Sequence, residues 1–340
     1  MDWHYFGAIA LTGCITLRAQ MPKPRSSLHA LSIYPFYLIT TSKESHMKAL
    51  QKTAISAAAV ALLTGLTSVA AFAEDAPAPE VSPITANVTV VNDYRYRGID
   101  QSNGKPAIQG GFDYAHESGL YIGNWNSSIS WVGDNFKTSG GVATSAPIEM
   151  DFYGGFKKEL IGEGFASDVG VLQYYYPNSG LALLSQQANP NTTEIYVAQN
   201  FTFGALTGFG KVSYAVSTLF GTINSTGSYY PDLTVNYDTG VFGIALNGHV
   251  GYQYVAGNQP NSGTSFGANS VSVNGLSNST LYSYTDWKLG LTKDFGGGLS
   301  GSVAYVGTNA ATYKGSYAYA SPTGKNTGRA TGLVSLTKTF

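Results

Sequence analysis

From Thr85 to the C-terminus, apolar residues return every second position rather than every third or fourth. That period belongs to strands with two unlike faces, not to amphipathic helices. In Asp232–Asp238 the alternation is unbroken: Asp, Thr, Asn and Asp point one way, Leu233, Val235 and Tyr237 the other. Glu194, Tyr196, Asn200 and Thr202 alternate with Ile195, Val197, Phe201 and Phe203 in the same manner, and Asp286, Lys288, Thr292 and Asp294 with Trp287, Leu289, Leu291 and Phe295. Twelve such segments can be counted, at about 85–98, 105–116, 119–131, 148–159, 165–177, 192–204, 208–220, 229–239, 242–255, 283–295, 299–310 and 328–340. Each is at least 11 residues long, more than the roughly 5–6 of a soluble strand and enough for a tilted membrane strand.

The connections have a rhythm of their own. Those after even-numbered segments are tight, as at Glu117-Ser118, Gly240-Val241 and Gly296-Gly297-Gly298, while those after odd-numbered ones are long, as at 132–147, 178–191, 256–282 and 311–327. Long loops alternating with tight turns is the plan of an all-β, transmembrane, antiparallel up-and-down β-barrel of about twelve strands. Closure is forced physically, because lipid offers no partner to the N–H and C=O groups of an edge strand. The count would become ten or fourteen if 256–282 hid a hairpin, for which Ser270–Val273 is the only candidate stretch.

Composition narrows the competing classes. Charged residues are 11% of the chain, against roughly 25% in soluble domains, and a soluble β-sandwich would show shorter strands and more outward charge. A mean hydropathy of −0.04 excludes a helical membrane protein, and 13% aromatics exclude a disordered chain. A formal net charge of −1 gives no footprint for nucleic acid.

The N-terminal region carries an export pattern. Met47-Lys48-Ala49-Leu50-Gln51-Lys52, an apolar run from Ala54 to Val69 and Ala71-Phe72-Ala73 form the charged region, apolar region and A-x-A site of a signal peptide, 47–73. Cleavage is expected near Ala73-Glu74, followed by a Pro-rich lead-in over 74–84. Residues 1–46 then read as an extension from an upstream start. The remainder keeps 13 of the 19 basic and 18 of the 20 acidic residues, a charge of −5, and loses the lone Cys14. Such a chain needs no disulfides and has no thiolate for catalysis or metal binding.

At the other end, Phe340 closes a strand carrying Val334 and Leu336 on one face, with Lys338 interrupting it. A C-terminal aromatic strand suits recognition by the outer-membrane assembly machinery, and an even strand count puts both termini in the periplasm. Aromatics near strand ends (Trp125, Trp131, Trp287, Tyr174, Tyr175, Tyr176, Tyr229, Tyr230, Tyr282 and Tyr284) are expected in the girdles at the two lipid interfaces.

Asn87–Trp125 (NVTVVNDYRYRGIDQSNGKPAIQGGFDYAHESGLYIGNW), with DFYGGF at 151–156, YYYP at 174–177, NTTEIY at 191–196 and YTDWKLGLTKDF at 284–295, resembles the TorF-type porins of Gram-negative bacteria. The resemblance spans about 85–340. It implies an outer-membrane channel and no particular solute.

If the apolar set faces lipid, the alternate set lines the interior. The expected inward charges are Asp93, Arg95, Arg97, Asp113, Glu149, Asp151, Lys157, Asp168, Glu194, Lys211, Asp232, Asp238, Asp286, Lys288 and Asp294, with His249 among them. The facing of the fifth segment stays open between Val169, Val171 and Tyr175 on one hand and Leu172, Tyr174 and Tyr176 on the other. Ten acids against five bases point to a hydrated pore for small polar solutes with a weak preference for cations. The same charges could instead pair across the wall in a closed, structural or adhesive barrel. An enzyme needs a nucleophile and a base; His116-Glu117-Ser118 has the His-x-Ser spacing of outer-membrane phospholipase A but falls in a tight turn. No cofactor or metal site is expected, since two distant His and no Cys do not make one.

Overall fold

The computed structural model describes residues 82–135, 145–178, 189–266 and 271–340. The signal peptide, the extension 1–46 and nearly all of the lead-in lie outside these residues.

Twelve strands make the wall. They are β1 (Ile84–Val91), β2 (Ala107–Ala115), β3 (Leu120–Ser128), β4 (Ile148–Gly162), β5 (Phe165–Tyr175), β6 (Thr192–Phe203), β7 (Leu206–Ala215), β8 (Tyr229–Asp238), β9 (Ile244–Gln253), β10 (Tyr284–Gly296), β11 (Leu299–Thr308) and β12 (Thr331–Thr339). Each pairs antiparallel with its neighbours in sequence, and β1 pairs with β12 (Val88 opposite Lys338, Val90 opposite Leu336), so the barrel closes without an edge. The Phe340 N–H donates to the Ala86 carbonyl at 2.8 Å, carrying the seam to the last residue.

The wall is inside-out relative to a soluble core. Val90, Ile108, Ile122, Val197, Leu289 and Val334 are all more than half exposed, whereas Asp113, Glu149, Asp151, Glu194 and Asp286 are buried. A period of two fixes this, since every strand sends alternate side chains to opposite faces. It also settles β5: Val169, Val171 and Tyr175 are outside, Leu172, Tyr174 and Tyr176 inside. The tight turns all lie at one end and the long connections at the other, as the spacing predicts.

Three expectations need correction, and the open strand count closes at twelve. The first segment does not run to Gly98: β1 stops at Val91, and residues 92–106 form a loop that turns back into the barrel. The third stops at Ser128 and is followed by a short helix, α1 (Trp131–Asn135). The loop 256–282 does contain a ladder, Ser265–Phe266 with Val271–Ser272, then the short helix α2 (Asn278–Tyr282), but neither joins the barrel. The girdle assignment fails for half of its members. Trp287, Tyr175 and Tyr229 are exposed on the outer face, while Trp125, Tyr174, Tyr176, Tyr230 and Tyr284 are buried on the inner one. Proximity to a strand end says nothing about which face a residue occupies; parity does.

Candidate functional site

The interior is built around the loop 92–106. Its tip is a hairpin in which Arg95 pairs with Asp100 and Tyr96 with Ile99, leaving Arg97-Gly98 as a two-residue turn. Both turn residues have positive φ, 45° and 76°, as a type I′ turn requires. Glycine adopts that conformation freely, whereas for arginine it costs on the order of 1 kcal/mol or more. The contacts of Arg97 supply the compensation. Its guanidinium meets Glu194 on β6 with two bonds, Nη1 to Oε1 at 3.0 Å and Nη2 to Oε2 at 2.7 Å. Nη1 also donates to Gln253 Oε1 on β9 at 2.6 Å, and the group lies 4.1 Å from the centre of the Tyr230 ring on β8. The loop leaves the wall at β1, and β7, between β6 and β8, is the strand half-way round the barrel. The tip therefore crosses the lumen.

Other bonds hold it along the way. Tyr94 donates to Glu149 Oε1 on β4 at 2.6 Å, and Tyr176 donates to the other oxygen, also at 2.6 Å. The Tyr96 and Tyr174 hydroxyls are bonded to each other. Arg95 pairs with Asp93 within the loop at 2.6 Å and donates to the Thr327 carbonyl, also at 2.6 Å. At Gly98 a Cβ would overlap Thr308 Cγ2 and come within 2.9 Å of Asp286 Cβ, so the tip is wedged against β10 and β11.

The expected inward residues then fall into groups. Asp93, Arg95 and Arg97 face the interior from the loop rather than from a strand. Asp113, Glu149, Asp151, Lys157, Asp168, Glu194, Lys211, Asp232, His249, Asp286 and Lys288 occupy inward register positions of the wall. Asp238 and Asp294 share that parity, yet their carboxylates serve the tight turns, accepting from Gly240 N at 2.9 Å and Gly296 N at 2.8 Å.

A cavity of about 260 Å³ lies beneath the loop, bordered by Asp93, Tyr94, Arg97, Trp125, Asp151, Lys211, His249 and Lys288 among others. On one side of it Lys211 pairs with Asp232 at 3.7 Å. Nearby, His249 Nδ1 lies 2.9 Å from Thr234 Oγ1, and its Nε2 lies 3.0 Å from both Asp286 Oδ2 and the Tyr230 hydroxyl. This hydroxyl–imidazole–carboxylate chain follows from register, since Thr234 sits opposite His249 and Asp286 one step along. It has the proton-relay half of a hydrolase site. A hydrolase also needs donors for an oxyanion. Gly251 gives the Tyr230 ring its place: a Cβ there would run into that ring.

The tight turn between β2 and β3 holds the His-x-Ser pattern. His116 Nδ1 accepts from Ser118 N at 3.1 Å and lies 2.8 Å from Ser118 Oγ. Both residues are exposed, and among the described residues no carboxylate orients the imidazole. The geometry is that of a turn stabilised by its own side chains.

Sequence reading missed Tyr94, Tyr96 and Trp125 as interior residues. Tyr94 and Tyr96 share parity with Val88 and Val90, so an unbroken strand would put them on the lipid face; only the end of β1 at Val91 removes that inference. The available signal was Arg97-Gly98, a charged residue followed by Gly in an otherwise continuous strand pattern, which reads as a turn.

Among solved structures, the fold is similar to the KdgM porin (8% identity, TM-score 0.40, covering 76% of this chain and 98% of that one). It is also similar to Pseudomonas aeruginosa OprD (11%, 0.36, 77% and 67%) and to the outer membrane phospholipase A of Escherichia coli (11%, 0.39, 75% and 91%). No curated protein matches the sequence. The family described as "Bacterial protein of unknown function (Gcw_chp)" matches over residues 75–282 and 259–340, most of the chain and all twelve strands, and the chain belongs to that family.

Proposed function

We propose that the protein is an outer-membrane channel for passive diffusion of small polar solutes, with a weakly cation-favouring lumen narrowed by the loop 92–106. The carrying observation is the division across the wall. An apolar outer face meets lipid, while the inner face holds the buried Glu149 and Glu194 and, bordering a 260 Å³ cavity, Asp151, Asp232 and Asp286. Solutes would move down their gradient, selected by size and by the field of the lumen charges. The TorF-type resemblance of 87–125, export through 47–73 and handling of the Phe340 strand by the assembly machinery belong to the same proposal. No catalytic step enters it.

One observation favours a second reading, a closed structural barrel: the loop crosses the lumen and is pinned there by Arg97. Planar-bilayer recording of the purified protein separates the two. The channel reading expects discrete steps that grow with KCl concentration. It also expects a reversal potential on the cation side, moving toward zero when Asp151 and Asp286 are neutralised. Silence under every condition would favour the closed barrel.

A further inference from the structure

Most inward acids of the upper lumen are met by a partner. Glu149 has two tyrosines, Glu194 has Arg97, Asp232 has Lys211, and Asp286 has Tyr230 and His249. Asp151 differs. It is 3% exposed and borders the cavity, its Oδ1 is buried without a hydrogen-bond partner, and no cation lies within ion-pair distance among the described residues. Asp93, on the loop, borders the same cavity and has a buried oxygen without a hydrogen-bond partner, Oδ1; its Oδ2 is taken by Arg95. A carboxylate withdrawn from water with nothing to meet it is costly.

The surroundings state what would meet it. Trp125, Tyr94, Tyr174 and Leu172 border the cavity with Asp151, while of its cations Arg95, Arg97 and Lys211 are each paired with a carboxylate and Lys288 stands on β10, half-way round the barrel from β4. Aromatic rings attract a cation through their faces, best when it is soft and weakly hydrated, whereas a hard metal ion needs several oxygens to replace its water. Among the described residues no group of three or more His, Cys, Asp or Glu could hold a metal. The volume of about 260 Å³ is far above the roughly 10–15 Å³ that a single water needs. We propose that the cavity beneath the loop is a binding site for a small organic cation, an alkylammonium group held by Asp151 and packed against Trp125 and Tyr94. The proposal rests on the channel reading in that it names the solute class that would pause at the constriction.

Calorimetric titration of the full chain in detergent tests it, with n-butylammonium chloride and sodium butyrate as matched probes. Saturable binding of butylammonium is expected, with butyrate at least tenfold weaker. Asp151→Asn should weaken butylammonium at least tenfold and Trp125→Leu about threefold, with Asp93→Asn between them. Equal binding of the two probes, or an affinity unchanged in Asp151→Asn that retains heat-modifiable gel mobility, would overturn the site. The probe comparison on the unaltered protein stands even if a variant does not fold. Asp151-dependent binding in a protein that never conducts would sink the channel reading and leave the site; conduction without binding would do the reverse.

Discussion

The two ends of the lumen solve one problem in different ways. Toward the tight turns, Tyr121 donates to Asp168 at 2.7 Å and Tyr153 to Asp113 at 2.6 Å. Each pair comes wholly from the wall, and the Tyr121 and Tyr196 hydroxyls are bonded to each other. Toward the long loops buried carboxylates are again met by tyrosine, and there by arginine too, but Tyr94 and Arg97 arrive on the loop, as does Tyr96, which bonds the wall's Tyr174. A wall pair can separate only if the barrel opens. A loop-borne pair can separate while the barrel stays whole. The lower lumen is therefore framework, and the upper lumen is the part that can change state.

The largest effect expected from that contrast is at Arg97. Arg97→Ala removes both bonds to Glu194, the bond to Gln253 and the stacking on Tyr230. Breaking one partner of a buried ion pair costs about 3–5 kcal/mol if the other charge stays buried. Here Glu194 need not stay buried, because the loop can leave and admit water. Single-channel conductance should rise several-fold, with the melting of the barrel little altered. Gly98→Val should act in the same direction, since the positive φ and the overlap with Thr308 and Asp286 bar the tip from its seat. Unchanged conductance in both variants would show that the loop does not set the bore.

Next in size are the wall pairs. Tyr121→Phe or Tyr153→Phe strips the donor from Asp168 or Asp113, and a buried acceptor left unmet costs about 1–3 kcal/mol. Urea unfolding in lipid vesicles should register that loss while conductance stays close to that of the unaltered protein. Tyr94→Phe should cost less, about 1 kcal/mol, because Tyr176 still serves Glu149. A Tyr121→Phe variant that conducts several-fold more than the original would erase the distinction between the two ends.

Local and non-local signals divide what the sequence discloses from what it hides. Strand count, loop rhythm and the inward facing of Asp113, Asp151, Glu194, Asp232 and Asp286 all follow from period two, a property of neighbours in the chain. The course of the loop does not. Arg97 finds Glu194 across the barrel at a separation of 97 residues, and nothing near Arg97 in sequence encodes that meeting. Asp232 and Asp151 look alike as letters in alternating strands. One has a lysine opposite it on the next strand, Lys211, while the other faces Trp125 and Tyr174. The register that separates them is fixed only when the barrel closes. For the same reason YYY at 174–176 discloses a strand but not that Tyr174 and Tyr176 bond inner carboxylates.

The smallest expected effect lies at the far end from Arg97, on another cation. Lys338 stands on the outer face of β12 between Leu336 and Phe340, where a charge in lipid would be expensive. Its ammonium reaches instead to the carbonyl of Gly297 in the neighbouring tight turn, and Lys293 does likewise to Phe242. Long side chains near a strand end can lay their stems on apolar surface and deliver the charge to the polar boundary. Both groups, unlike Arg97, keep access to water, so little desolvation hangs on the bond. Lys338→Ala should therefore shift unfolding stability by about 0.5 kcal/mol or less and leave conductance unchanged. Lys338→Leu should behave the same way, since the position is apolar by parity. A loss in Lys338→Ala as large as that of a wall tyrosine would mean that the bond to Gly297 clamps β12 to the β10–β11 turn, and the tight-turn end would then hold a latch of its own.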